Sequence, residues 1–347
     1  MTSADTTVSI VIPTYRNPES LAATLESVAS LDFDPRRWEV VVVDDGGGDA
    51  ATAAVVERAR SNMPVPITLR AQPNAGAAAA RNTGARLATG DVLLFLDDDM
   101  LVRPSLVREH LETLEHFAPA FVCGYREWAP ELAAILADTP FGRYRMDAEV
   151  HQEWGTFVSE HDEPFPASCR NFPAHLTANN LSAPREAFLA LGGFDEEYPY
   201  ASYEDQDLAV RANRAGFATI TRKDLLAWHN DRRVTLRAFC ARQERGATGS
   251  VLLAKRFPDV VAGRELYIEN GPVMRGDPLG RRIRKLVKAV LATPPATAAL
   301  FALTASAERL HAPEAMLRRL YDALVATHTF RGVRAGWSRY RPSGVAQ

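Results

Sequence analysis

The stretch Asp91-Val92-Leu93-Leu94-Phe95-Leu96-Asp97-Asp98-Asp99-Met100 constrains this chain more than any other. Five consecutive apolar residues with no polar position between them read as a strand buried on both faces, inside a sheet covered on two sides. Three carboxylates follow directly. Side chains alternate along a strand, so Asp97 and Asp99 are expected to point together and Asp98 elsewhere. Such a group is a hard oxygen site for Mg²⁺ or Mn²⁺, with positions left for waters and phosphate oxygens. An acidic turn produces the same letters without any metal, because Asp is common in turns.

The chain before and after repeats this design. Residues 7–14 are a β-branched run opening into a loop at Pro13, and Pro18-Glu19 start a helix with Leu21, Leu25 and Val28 on one face. Residues 39–43 form a second buried strand, ending in Asp44-Asp45-Gly46-Gly47-Gly48-Asp49. Helices are expected over 50–61 and 75–88, with a strand at 66–71 between them. Further on come helices at 104–117 and 130–147, a strand near 120–127, and a strand passing into a helix at Pro184. A turn at Gly192-Gly193-Phe194-Asp195 precedes a helix with Glu204, Asp205 and Asp207 in its first turn, where the helix dipole favours acids. Strands near 217–221 and 225–229 lead to Trp228-His229, and a helix over 235–256 closes the domain. This alternation indicates an α/β fold, a mixed and mainly parallel sheet with helices on both faces. Ligands of such sheets sit at the carboxyl ends of the strands, where the loops after Ile12, Val43 and Leu96 fall.

Charge separates the chain into two parts. The net charge of −3 combines +8 over residues 263–347 with −11 over residues 1–262. An acidic domain (1–262) followed by a basic helical extension (263–347) is the expected organisation, with the extension near something anionic. Three cysteines, Cys123, Cys169 and Cys240, show no C-x-x-C spacing, so neither a disulfide framework nor a zinc site is indicated and a reducing cytoplasm is expected. The N-terminus lacks a basic patch followed by an apolar run, so no signal peptide is expected. The first lysine is Lys223, which excludes a P-loop lysine for the Gly46-Gly47-Gly48 loop.

Taken in order, Ser9-Ile10-Val11-Ile12-Pro13-Thr14-Tyr15-Arg16-Asn17, Val43-Asp44-Asp45-Gly46, Asn74-Ala75-Gly76 with Arg81-Asn82, Asp97-Asp98-Asp99, Gly192-Gly193-Phe194-Asp195 and Glu204-Asp205-Gln206-Asp207-Leu208 resemble a family 2 glycosyltransferase over roughly residues 7–260. The resemblance implies the GT-A fold and inverting sugar transfer with Mn²⁺ or Mg²⁺. It places Pro13, Thr14 and Tyr15 around the nucleotide, Asp45 on its base, and Gly76, Arg81, Asp97 and Asp98 against the nucleotide sugar. Asp97 and Asp99, with His229, would hold the metal, and Asp205 would be the catalytic base. Gly47 departs from the serine the family often has after Asp-Asp-Gly, which changes a loop hydrogen bond.

Each position has a plainer reading. Asp45 caps a turn, Glu204, Asp205 and Asp207 serve the helix dipole, and His229 is a packed histidine. Asn179-Asn180 lines the sugar pocket or satisfies a strand edge. A UDP-sugar is the expected donor, and the acceptor is a glycan, a lipid-linked glycan or a small molecule; no nucleic-acid partner is expected. A non-catalytic sugar-nucleotide-binding module and a nucleotidyltransferase are the alternatives. The second wants basic residues in an N-terminal Gly-rich loop, where this chain has Pro13-Thr14-Tyr15.

The extension carries Ile283, Leu286, Val287, Val290 and Leu291 on one helical face, with Arg281, Arg282, Arg284, Lys285 and Lys288 over much of the rest. Two readings stand: a helix lying in an anionic membrane interface, or one packing its stripe on the catalytic domain. A homo-oligomer surface is compatible with either. The uncharged run over 289–307 nears spanning length, but Pro294-Pro295 and its Thr and Ala residues weaken it as a transmembrane helix.

Overall fold

The computed structural model describes residues 5–150, 169–171, 175–198, 200–232, 235–261 and 265–341. It divides into two compact units, one of residues 1–132 with 150–231 and one of residues 133–149 with 232–347.

The first unit opens with β1 (Val8–Thr14), α1 (Pro18–Val28), β2 (Trp38–Asp44), α2 (Ala50–Asn62), β3 (Ile67–Ala71), α3 (Ala77–Leu87) and β4 (Val92–Leu96). It continues with β5 (Met100–Val102), α4 (Leu106–His116), β6 (Ala120–Trp128), β7 (Cys169–Asn171), β8 (Asn180–Pro184), α7 (Arg185–Ala190), α8 (Glu204–Arg214) and β9 (Ala218–His229). Between β6 and β7 lie α5 (Pro130–Ala137) and α6 (Pro140–Val150). The expected single helix over 130–147 is broken because Pro140 offers no backbone N–H and disfavours helix at the residue before it. The two strands expected at 217–221 and 225–229 are one. The register of β9 against β6 jumps from Gly124↔Arg222 to Tyr125↔Leu226, so residues between are bulged out.

The nine strands form one sheet in the order β3-β2-β1-β4-β8-β6-β9-β5, with β7 on β9. Strands β3, β2, β1 and β4 are mutually parallel, so the loops after β1, β2 and β4 emerge along one edge. Strand β8 runs antiparallel between β4 and β6. Alternation sorts the core onto two faces. Ile10, Ile12, Val40, Val42, Leu94 and Leu96 pack with α1, α2 and α4, whereas Val11, Val41, Val43, Leu93 and Phe95 face α3, α7 and α8. The alanines of α3 let it lie close on that second face, where a Cβ at Gly84 would stand 2.3 Å from Val11 Cγ1.

The second unit is helical: α6, α9 (Leu236–Arg256), α10 (Pro258–Val261), α11 (Glu265–Asn270), α12 (Leu279–Leu291), α13 (Pro294–Arg309) and α14 (Glu314–Tyr340). Within this unit α9 lies along α14. Glycine spacing on α14 is the reason, because Gly332 and Gly336 leave no room for a Cβ against Glu244 and Val251 of α9. Across that seam His328 Nδ1 meets Glu244 at 2.7 Å, and Thr248 donates to the Gly332 carbonyl at 3.1 Å. Tyr144, Phe239, Leu317 and Tyr321 build the adjoining core.

A Cβ at Gly332 would stand 2.1 Å from the Glu244 carbonyl oxygen, a backbone atom that cannot rotate aside. Replacing a helical Gly by Ala gains about 1 kcal/mol of helix propensity, but overpacking costs about 1–3 kcal/mol. Gly332→Ala is therefore expected to lower the urea midpoint followed by far-ultraviolet circular dichroism; a raised midpoint would show that the two helices are not in this contact.

Candidate active site

The acidic residues after β4 do not continue the strand. The strand ends at Leu96, and the Met100 N–H closes a turn onto the Asp97 carbonyl at 3.2 Å. Strand alternation therefore lapses before Asp97, and the three carboxylates part rather than Asp97 and Asp99 pointing together. Asp97 accepts from Arg81 Nη2 at 2.6 Å. Asp98 turns inward, accepting from Thr14 Oγ1 at 2.5 Å and Asn17 Nδ2 at 3.0 Å. Asp99 lies 3.3 Å from His229 Nε2. Burial, then the charge of Asp99, pushes the Asp98 carboxyl up to about 7 against the hydrogen bonds from Thr14 and Asn17.

Asp99 and His229 meet because β5 pairs antiparallel with β9, placing Met100 opposite His229. The Asn230 N–H donates to the Asp99 carbonyl at 2.8 Å, and Trp128 lies against the imidazole with ring centroids 5.3 Å apart. Asp231, two residues past His229, completes a group whose ligand atoms lie within 4.8 Å of one another. Two carboxylates and an imidazole suit Mn²⁺ and tolerate Mg²⁺. Asp97 is outside this group and Asp231, which sequence reasoning missed, is inside it. The available signal was the i, i+2 spacing of His229 and Asp231 at a strand end.

Arg81 is the hinge between this turn and α8. Its guanidinium, 3% exposed as a residue, donates to Asp97 and, through Nη1, to Glu204 Oε1 at 2.8 Å. Burial alone would lower its pKa, but the charges of Asp97 and Glu204 outweigh that and hold it raised. Burial raises the Glu204 pKa against the opposing charge of Arg81. Burial and then the charge of Glu204 push Asp205 up to about 7, while Arg81 and the backbone N–H groups of Gln206 and Ala178 pull the other way. A carboxyl poised there suits a general base.

The glycine turn holds α8 in place. Asn82 donates to the Phe194 carbonyl at 2.7 Å and accepts from the Phe194 N–H at 2.9 Å. Gly193 has φ +68°, and a Cβ there would stand 2.5 Å from Asn82 Oδ1, so the turn requires glycine on both counts. Arg211, paired with Asp207 at 2.6 Å, donates to the carbonyls of Leu191 and Gly193. Asp195 caps the turn by accepting from the Glu197 N–H.

The first two loops are also pre-shaped. Asp44 accepts from the N–H groups of Gly46, Gly48 and Asp49. Asp45, 4% exposed, accepts from Gln72 Nε2 and from the N–H groups of Ala75 and Gly76, so it fixes the start of α3. These three donors leave its two oxygens about one further acceptor position. Pro13 and Thr14 are the last two residues of β1, Thr14 is buried on Asp98, and Tyr15 is 46% exposed with the Arg16 guanidinium 5.3 Å from its ring. Asn180 proves a core residue, donating to the Leu225 carbonyl and meeting His110 Nε2 at 2.9 Å.

Residues 9–131 match the sequence model of Glycosyl transferase family 2. The chain is 32% identical over 232 residues, 62% of its length and 50% of the relative's, to a validoxylamine A glucosyltransferase of Streptomyces hygroscopicus subsp. limoneus. It is 31% identical over 294 residues, 82% of its length and 56% of the relative's, to a pre-mycofactocin glycosyltransferase of Mycobacterium tuberculosis. The chain thus spans little more than half the length of these curated relatives. Among solved structures, a mannosyltransferase from Pyrobaculum calidifontis in complex with GDP-Man and Mn²⁺ superposes with a TM-score of 0.61 at 20% identity, over 95% of this chain and 88% of that one. That likeness establishes the GT-A fold.

Removing one partner of a buried ion pair costs about 3–5 kcal/mol, because the charge left behind is uncompensated. Arg81→Ala strands buried Glu204 and the half-buried Asp97, so a loss of this order in urea unfolding is expected. Arg81→Lys should recover only part of it, since one ammonium lacks the fork that spans both carboxylates. An Arg81→Ala midpoint equal to that of the unaltered protein would remove Arg81 from its bridging position.

Proposed function

The chain belongs to glycosyltransferase family 2, and on that premise we propose a metal-dependent, inverting transferase that moves a sugar from a nucleoside-diphosphate donor, expected to be a UDP-sugar, to an acceptor hydroxyl. The observation that supports this reading is the Asp97–Arg81–Glu204 bridge, which ties the acidic turn after β4 to the first turn of α8, where Asp205 follows Glu204.

In the proposed reaction Asp205 takes the proton of the acceptor hydroxyl as its oxygen bonds to the anomeric carbon and the bond to the diphosphate breaks. Attack opposite the leaving group inverts that carbon. Asp205 is suited to the step because its carboxyl, near 7, is ionised often enough to accept a proton and basic enough to keep it. A divalent cation bound at Asp99, His229 and Asp231 would neutralise the departing diphosphate. Asp97, oriented by Arg81, is left to the ribose. Tyr15 offers its exposed ring face to the base, Pro13 and Thr14 shape the wall beside it, and Asp45 keeps an acceptor position toward the base. Gly76 opens α3, whose N-terminal dipole favours a phosphate there, while the charge of Arg81 is held between Asp97 and Glu204.

The likeness to relatives named as glycosyltransferases favours catalysis over a non-catalytic binding module. For the acceptor, the likeness to a validoxylamine A glucosyltransferase supports a small hydroxylated molecule, and a glycan or lipid-linked glycan is the other class to test.

Turnover is expected from a donor panel with Mn²⁺, read as nucleotide release, and chelation should abolish both turnover and the donor-induced thermal shift. Asp205→Asn should lose about 10²–10⁴ in kcat while keeping the thermal shift; full turnover would refute its role as base. Because the base works deprotonated, kcat/KM should fall as pH drops below about 7 and level off above it. A flat profile between pH 5 and 8 would exclude the Glu204–Asp205 pair from the rate-limiting proton transfer.

A further inference from the structure

Helix α12 is turned inside out relative to an ordinary surface helix. A surface helix normally lays its apolar stripe on the protein and its charges in water. Here Leu279, Ile283, Leu286, Val287 and Val290, all within an arc of about 100°, are 73, 51, 59, 51 and 65% exposed. The buried residue of the helix is a lysine, Lys285, at 3%. Its Nζ donates to Asp277 at 2.7 Å and to the Pro272 carbonyl at 2.9 Å. Arg281 and Arg284 donate to Glu269, and Lys288 to Asn270 Oδ1 at 2.9 Å. Four tethers on one side fix the rotation of the helix and hold its stripe outward. The stripe is therefore turned away from the segment of its own unit that anchors the helix.

The bare surface continues into α13, where Pro294, Pro295, Ala298, Ala299, Ala302 and Leu303 are exposed. Neither helix is long and apolar enough to cross a bilayer, and the pair is bent by 85°. We infer that α12, with the start of α13, is a docking surface for an anionic lipid bilayer, its stripe entering the interface while the helix lies along the membrane plane. Charge selects this occupant. Between Glu265 and Leu291 six Lys and Arg stand against three acidic residues. Two copies packed stripe to stripe would set these net-positive segments, each with a 58% exposed Arg284, against each other, whereas an anionic leaflet carries the opposite sign. This inference goes beyond sugar transfer and does not rest on it.

Flotation of the full chain tests it, using vesicles of phosphatidylcholine alone and of equimolar phosphatidylcholine and phosphatidylglycerol. The protein should float with the mixed vesicles, less with the neutral ones, and less as salt rises. The double variant Leu286→Glu, Val290→Glu should lose roughly ten-fold or more of the floated fraction with an unchanged Tm, since both side chains face solvent. Flotation by the double variant equal to the unaltered protein's, or none by the latter, overturns the inference. So does sedimentation velocity without lipid in which the unaltered chain dimerises and the double variant is monomeric, because the stripe then belongs to a second copy. Nucleotide release in solution is read separately and fails or succeeds independently.

Discussion

The buried guanidinium of Arg81 is the contact on which the site depends. It takes one carboxylate from the turn after β4 and one from the first turn of α8, elements more than a hundred residues apart in the chain. Taking these charges out of water is expensive, and the gain over a well-packed apolar cluster is small. What the arrangement secures is position. A planar fork fixes the distance and angle between its two partners, which a flexible ammonium does not. The close seat of α3 on β1, made possible by Gly84, delivers that fork to the sheet edge.

Much of this was readable in the residues. Buried strands at β1, β2 and β4 announced themselves as apolar runs ending in polar loops, and their parallel order put those loops on one edge. The acidic cluster was visible because charges at a strand end stand out against apolar neighbours, whereas Asp205 and His229 were singled out by the resemblance to the family. Their directions were not visible. Alternation holds only while a strand lasts, and β4 ends at Leu96, one residue before the first carboxylate. Which acid faces the imidazole is decided by the pairing of β5 with β9, a three-residue strand with no periodic signal. Asp231 enters the candidate group by its i, i+2 spacing from His229, a signal too short to stand out before that pairing brings Asp99 to the same place.

The helical unit teaches the complementary lesson. Periodicity located α12 and its stripe correctly but said nothing about which side meets the protein. That was settled by single acceptors, Glu269 and Asp277, supplied by the segment just ahead of it. Likewise α9 carried an ordinary amphipathic pattern, and only glycines some eighty residues later determine what lies against it. Long-range partners chosen by space, rather than by local pattern, are what a sequence conceals.

The inward-facing Asp98 joins the loop after β1 to the turn that carries Asp99. With donor and cation in their proposed places, the two ligands share one rigid piece of backbone. Whatever factor the cation contributes to donor affinity, the donor must return to cation affinity, by thermodynamic reciprocity. In a cell with scarce free manganese and plentiful donor, the sugar nucleotide would thus recruit its own metal, and enzyme occupancy would follow the product of the two concentrations.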